Sequence, residues 1–241
     1  MADVAFITGS ATGIGAEVSR QLTAVGVKVA ACDINEAAGN ALVAELGGQF
    51  IRCDVMDFES VERAVAECIK TLGVPKYAHL NAGVMTVGPD EDFLAIEDVP
   101  LETFQRIMDV NFAGVFHGLK ALLPHMRNNG GAITVSSSVA GIMSFSPDPL
   151  YAATKAALIS LVRSVAVANE ESNIRVNAIC PGAVDTAIMP HAFRAEVAMM
   201  PTSTIAAEII DLLQNGANGE VRVKLTQEEP AFTVDPIDPY E

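Results

Sequence analysis

Short runs of consecutive apolar residues alternate along the chain with longer stretches in which apolar positions recur every three or four residues. Residues 4–7 are followed by a helical pattern over 16–25, then an apolar run at 27–32, a helix over 36–46 and a run at 49–53. A helix from about 58 to 72 follows, with Asp57 at its N-cap position. Further strands fit residues 77–80, 132–136, 174–179 and 220–225, giving about seven. Strands that are apolar at consecutive rather than alternate positions are covered on both faces. The pattern therefore predicts an α/β fold, a doubly wound parallel sheet with helices on both faces.

Two helical stretches carry almost no charge. Residues 112–126 contain only Lys120, and residues 151–168 only Lys155 and Arg163. A surface helix shows a polar face. Either both helices are buried within the domain or their outer faces meet another subunit; because a helix flanking a sheet has one side outward, the second reading is favoured, a homo-oligomer (dimer or tetramer) formed through these helices. The segment 226–241 breaks the pattern with Pro230, Pro236 and Pro239 and five acidic residues against no basic one. It reads as an extended tail appended to a single domain spanning 1–225.

Composition narrows the classes. A chain of 241 residues, 50% hydrophobic and 19% charged, suits one large domain able to bury its own core. The net charge of −15 argues against a nucleic-acid or anionic-membrane partner. Cys32, Cys53, Cys68 and Cys180 lie far apart with no C-x-x-C spacing, so neither a disulfide framework nor a zinc site is expected. The histidines show no ligand spacing either, and no metal is assigned. Asp3 directly precedes the first apolar run, which leaves no room for a signal peptide, and the apolar runs fall short of the 18 or so residues of a membrane span. A cytoplasmic protein is expected.

The chemistry begins at Thr8-Gly9-Ser10-Ala11-Thr12-Gly13-Ile14-Gly15, between the first strand and the first helix. Glycines there let the backbone approach a phosphate, and the free N–H groups and dipole of the helix start favour an anion. Glycine also serves such a turn for geometry alone, so the turn does not decide by itself. Asp33 closes the second strand, where a carboxylate accepts hydrogen bonds from both hydroxyls of an adenosine ribose and repels a 2′-phosphate. No Lys or Arg follows in Ile34-Asn35-Glu36, so NAD is favoured over NADP, although an Asp at a strand end is also a common turn residue. Tyr151 and Lys155 stand at i and i+4 on a predicted helix, on one face. An ammonium beside a phenol favours the phenolate, which suits the tyrosine for general base work. A bland surface pair fits poorly with the apolar helix that carries them.

Together, Thr8-Gly9-x-x-x-Gly13-x-Gly15, Asn81-Ala82-Gly83, Asn111, Ser136-Ser137-Ser138, Tyr151-x-x-x-Lys155 and Pro181-Gly182-x-x-x-Thr186 resemble, in order and spacing, the short-chain dehydrogenase/reductases over about residues 3–225. The resemblance implies a Rossmann-type fold and an NAD-dependent alcohol dehydrogenase or ketone reductase. It implies that Ser138, 13 residues before the tyrosine, holds the substrate oxygen. Tyr151 exchanges the proton, Lys155 lowers the tyrosine pKa and binds the nicotinamide ribose, and Asn111 holds a water in the proton relay. The same resemblance places Gly9, Thr12, Gly13, Ile14, Gly15, Asp33, Asp54, Val55, Asn81, Ala82, Gly83, Tyr151, Lys155, Pro181, Gly182, Val184 and Thr186 around the cofactor. Leu80 stands where the family commonly has a further asparagine, and the family's frequent Asp-Gly-Gly finish is missing from the carboxy end.

The substrate-facing segments implied by the resemblance offer Ile142, Met143, Phe145 and Pro147, then Ile188, Met189, Phe193, Met199 and Met200, with Arg194 as their only Lys or Arg. Met143, Phe145, Met189 and Phe193, beside Ser138 and Tyr151, are the candidate substrate contacts. Such a lining suggests a neutral hydrophobic secondary alcohol, while packing of a loop onto the core is an equal reading. The competing functions are a catalytically silent NAD-binding regulator, an NADP-dependent ketone reductase and a dehalogenase-like lyase. The intact Ser138, Tyr151 and Lys155 argue against the first, Asp33 against the second, and the glycine turn with Lys155 against the third.

Overall fold

The computed structural model describes residues 2–194 and 197–236. An eight-stranded sheet runs in the order β3-β2-β1-β4-β5-β6-β7-β8, built from β1 (Val4–Thr8), β2 (Lys28–Asp33), β3 (Gln49–Arg52), β4 (Tyr77–Leu80), β5 (Gly131–Ser136), β6 (Ile174–Pro181), β7 (Val221–Lys224) and β8 (Phe232–Thr233). The first seven are mutually parallel and β8 is antiparallel to β7. Helices α1 (Gly13–Ala24), α2 (Glu36–Leu46), α3 (Phe58–Thr71), α4 (Leu101–Met108), α5 (Gly114–Met126), α6 (Pro149–Ala168), α7 (His191–Arg194) and α8 (Thr202–Asn215) complete it. Asp57 caps α3 as the sequence predicts, accepting a hydrogen bond from the Glu59 N–H at 3.0 Å.

The core explains why the strands are apolar at consecutive positions. Val4 and Phe6 of β1 join one buried cluster, with Val61 of α3, Leu122 of α5 and Leu158 of α6. Ala5 and Ile7, pointing the other way, join a second with Leu22 of α1, Leu42 of α2 and Ile209 of α8. Truncating any of these leucines to alanine costs about 2–5 kcal/mol. Leu80, the departure from the family pattern, fits because α5 presents Gly118 to it: a Cβ at 118 would stand 2.6 Å from a Leu80 methyl.

Three expectations are corrected. First, the seven parallel strands are joined among the described residues by an eighth, antiparallel one, because the stretch after Leu225 does not run free as an extended tail. Phe232 and Thr233 pair with Val223 and Arg222, and the Val234 N–H donates to the Val221 carbonyl at 2.9 Å. Buried Lys224 holds the intervening turn through the carbonyls of Gln227 and Glu229, and Arg163 of α6 donates to the Val234 carbonyl at 2.6 Å. Residues 237–241 of that segment lie outside the described residues. Second, the helix expected over 112–126 begins at Gly114, because a π-helical turn, Asp109–Ala113, joins α4 to α5 and carries buried Asn111. Third, α6 is by length and composition apolar enough to cross a membrane, with a mean hydropathy of 1.4. It is nonetheless laid along β6, with Lys155, Leu158, Val162 and Ala166 turned inward.

Candidate active site

The strand order reverses between β1 and β4, and a cleft of about 320 Å³ opens beyond their carboxyl ends. Gly9, Thr12, Gly13 and Ile14 form one wall. Gly9 has φ +62°, and a Cβ there would lie 2.8 Å from the Ala82 backbone, so only glycine lets the turn pack against the segment that leaves β4. A Cβ at Gly15 would collide with the Gly9 carbonyl. Thr12, at the N-cap of α1, makes no side-chain capping bond, so the first N–H groups of the helix have no protein acceptor from it. A diphosphate is the ligand chemistry that such an uncapped, glycine-walled helix start accommodates.

Asp33 borders the same cleft. Its carboxylate accepts from the Ala11 and Asn35 N–H groups, each at 2.9 Å, which fixes it at the end of β2 with further lone pairs for ribose hydroxyls. Asp54 and Val55 line the cleft after β3, joined by Met56, which sequence reasoning did not select. On the opposite side Asn81 donates to the Gly9 carbonyl at 3.0 Å, and Thr8 Oγ1 accepts from the Asn81 and Ala82 N–H groups. Asn81, Ala82, Gly83 and Thr186 all border the cleft. Pro181, Gly182 and Val184, expected around the cofactor, do not line the cleft: Pro181 ends β6, Gly182 packs on the Leu225 backbone, and buried Val184 bridges to Met200. Met200 is therefore a core residue and not a substrate contact.

Beside Gly83 of this cleft stands the Lys155 ammonium, with Tyr151 and Ser138 in the same neighbourhood. Asp148 caps α6 and Pro149 occupies its first turn, which places Tyr151 in that turn and Lys155 one turn later. The Lys155 ammonium lies 5.4 Å from the Tyr151 ring centroid and donates to the Ser136 carbonyl at 2.8 Å. Ser138 opens a short 3-10 turn after β5, accepts from the Ala140 N–H at 3.1 Å and lies close enough to the Tyr151 phenol to favour its ionised form. Gly83 brings the two halves together, since a Cβ there would stand 3.4 Å from both the Lys155 ammonium and the Asn111 amide oxygen. Asn111 spends its side chain inside the protein: its oxygen accepts from the Val84 N–H at 2.8 Å, and its amide donates to the Val84 carbonyl at 2.9 Å and to Thr154 Oγ1 at 3.1 Å. Both amide protons are thereby used.

The electrostatics differ from the simple picture of a lysine depressing a tyrosine. Tyr151 is half-buried, yet the protein crowding its phenol pushes the pKa up to about 12, against the downward pull of the nearby Ser138 hydroxyl. Burial pushes Lys155 the other way, down to about 8. At neutral pH the phenol is thus protonated, beside a cation that burial makes easier to discharge.

On the outer side, Phe145 and Phe193, two of the candidate substrate contacts, meet one another around a third ring. Phe93, from the segment between β4 and α4, stacks edge-on against both, with centroids at 6.2 and 6.5 Å, and Phe145 and Phe193 are 5.7 Å apart. The segments are fastened to one another: the His191 N–H donates to the Pro89 carbonyl at 2.8 Å and its ring approaches Asp90 at 3.0 Å. Met143 is 61% exposed and Met189 half-buried. Arg194 is engaged with Asp185 and the carbonyls of Thr186 and Met189, so its charge is already met within the protein. Phe93 has no spacing signal in the sequence; Asp148 has one, an Asp-Pro pair at a helix start, which motif reading passed over.

Comparison with known proteins agrees with this geometry. A protein-family model described as short chain dehydrogenase matches residues 3–197. The chain is 35% identical over 199 residues to 2,5-dichloro-2,5-cyclohexadiene-1,4-diol dehydrogenase of Sphingobium indicum, covering 81% of this chain and 78% of that one. It is 36% identical over 190 residues to 3-beta-hydroxysteroid dehydrogenase of Comamonas testosteroni, covering 77% and 72%. Among solved structures, a 3-ketoacyl-(acyl-carrier-protein) reductase from Brucella melitensis complexed with NADH superposes with a TM-score of 0.84 at 25% identity, over 93% of this chain and 96% of that one. The chain belongs to the short-chain dehydrogenase family, as an oxidoreductase with a Rossmann-type site for a nicotinamide cofactor.

Proposed function

We propose that the protein transfers hydride between NAD(H) and a neutral, apolar secondary alcohol or ketone, the reacting carbon being part of a ring, with Tyr151 as general acid and base. The observation that carries this reading is the grouping of Tyr151 and Lys155 beside Gly83 of the dinucleotide cleft, with the Lys155 ammonium 5.4 Å from the Tyr151 ring and Ser138 close enough to the phenol to favour its ionised form. A nicotinamide bound there supplies or accepts the hydride. Ser138 holds the substrate oxygen, Tyr151 gives a proton to that oxygen in reduction and takes it in oxidation, and Lys155 stabilises the phenolate that remains. Lys155 is held for this by the Ser136 carbonyl.

Preference for NAD is supported by Asp33 on the cleft wall and by the fate of the nearest cation. Arg52 stands opposite Asp33 in the sheet but is ion-paired with Glu36 at 3.2 Å, so it does not offer itself to a 2′-phosphate. An apolar ring fits the three phenylalanines and the engaged Arg194, and both relatives' names place their hydroxyls on rings. Assembly into a homo-oligomer through α5 and α6 is part of the same proposal, supported by the weakly charged surface of these helices, with Phe116 and Val167 exposed. The test supplies purified protein with NAD or NADP and a panel of cyclic and open-chain secondary alcohols. Formation of NADH with cyclic alcohols supports the reading, and turnover restricted to NADP overturns its cofactor half.

A further inference from the structure

Asp148 is buried at 1% exposure and its two carboxylate oxygens face in different directions. One accepts from the Tyr151 N–H at 3.0 Å, the N-cap bond of α6. The other accepts both the N–H and the hydroxyl of Thr86, at 2.9 and 2.8 Å. Thr86 lies in the segment that leaves β4, the same segment whose Val84 is gripped through both N–H and carbonyl by Asn111. Asn111 in turn reaches α6 through Thr154, whose hydroxyl donates to the Tyr151 carbonyl at 2.8 Å. Arg106 of α4 secures the segment from behind through the carbonyls of Met85 and Thr86.

The turn of helix that carries Tyr151 is thus tied at both its N–H and its carbonyl to residues 84–86, at the wall of the cofactor cleft. We infer that Asp148 is a positioning residue for the proposed reaction: with Thr86, it fixes where the Tyr151 phenol stands relative to Ser138 and the cofactor cleft. An N-cap alone needs one acceptor, and a surface Ser or Asn would serve; a fully buried carboxylate with a second, doubly occupied oxygen goes beyond what capping requires. The titratable and charged groups around this clamp are Tyr151, Lys155, Arg106 and Cys180, and the Asp148 charge opposes ionisation of the phenol.

The inference rests on the proposed function, so its test includes a readout that needs no substrate. Tyrosinate absorbance is titrated in the wild type, in Asp148→Asn and in Thr86→Val, each against the same protein carrying Tyr151→Phe, which isolates Tyr151 from Tyr77 and Tyr240. Steady-state kinetics accompany the titrations. Asp148→Asn is expected to ionise Tyr151 at lower pH, yet to lose about 10-fold or more in kcat, with KM for NAD within about twofold of wild type. Thr86→Val keeps the charge and loses one bond, so kcat falls severalfold while the titration stays in place. Wild-type kcat together with an unshifted Tyr151 titration in Asp148→Asn overturns the inference; should that variant not fold, wild-type kcat in Thr86→Val does so. If no alcohol is turned over even by the wild type, the proposed function fails, and an unshifted titration in Asp148→Asn alone then overturns the role of Asp148.

Discussion

The Lys155 ammonium donates to the carbonyl of Ser136 at 2.8 Å, which ties the middle of α6 to the end of β5 and holds the cation 5.4 Å from the Tyr151 ring. The same residue is buried enough to bring its pKa to about 8. Holding this charge at pH 7 therefore costs the fold about 3 kcal/mol, and the charged hydrogen bond returns about 1.5–3 kcal/mol. Because the folded pKa is lowered, this contribution improves as pH rises from about 8 towards 10.5. Lys155→Met removes both terms. Its unfolding free energy at pH 7 is expected within about 2 kcal/mol of wild type while turnover falls by about 100-fold or more, to be read by urea unfolding and steady-state kinetics.

Asp33 accepts two backbone hydrogen bonds and borders the cleft. Asp33→Ala is expected to raise KM for NAD by about 10-fold or more and to leave KM for NADP little changed or lowered, because the repulsion of a 2′-phosphate goes with the carboxylate. Comparing kcat/KM for the two cofactors checks this; undiminished NAD preference in the variant counts against the assignment.

His79 is fully buried on β4, with its Nδ1 2.9 Å from Thr134 Oγ1 and its Nε2 3.4 Å from Ser136 Oγ, and Ser136 donates to Asn81 at 3.0 Å. Burial pushes its pKa down from 6.5 to about 4. Below pH 6.5 the unfolded chain binds the proton and the native protein does not, so stability falls as pH drops from about 6.5 to 4, by about 3 kcal/mol from this residue. Urea unfolding at pH 7 and pH 4.5 is expected to show a smaller acid loss in His79→Gln than in wild type.

Phe93→Ala is expected to raise KM for a cyclic alcohol by about 10-fold and to leave kcat within about threefold, since one ring of a three-ring wall is worth about 1–3 kcal/mol. A short open-chain alcohol should be nearly indifferent to the change. Equal effects on both would assign Phe93 to loop packing.

What the sequence makes legible is what local chemistry dictates. Most strands from β1 to β7 show because they bury both faces, the edge strand β3 burying only Ile51, and the glycine turn, Asp33 and the Tyr151–Lys155 pair show because their spacing is tied to one turn or one helix. The remaining features depend on contacts between distant segments. Phe93 matters only because the segment after β4 is carried beside Phe145 and Phe193. The strand Phe232–Thr233 forms because β7 offers an open edge, which acidic, proline-rich composition does not disclose. The rise of the Tyr151 pKa comes from crowding, and the i, i+4 spacing reports only the lysine.

The most direct test of the account is NADH formation by Tyr151→Phe with a cyclic secondary alcohol, with folding and NAD binding measured on the same sample. The account predicts turnover lower by about 100- to 10,000-fold, with melting temperature and NAD affinity near wild type. Turnover equal to wild type in that variant would contradict it.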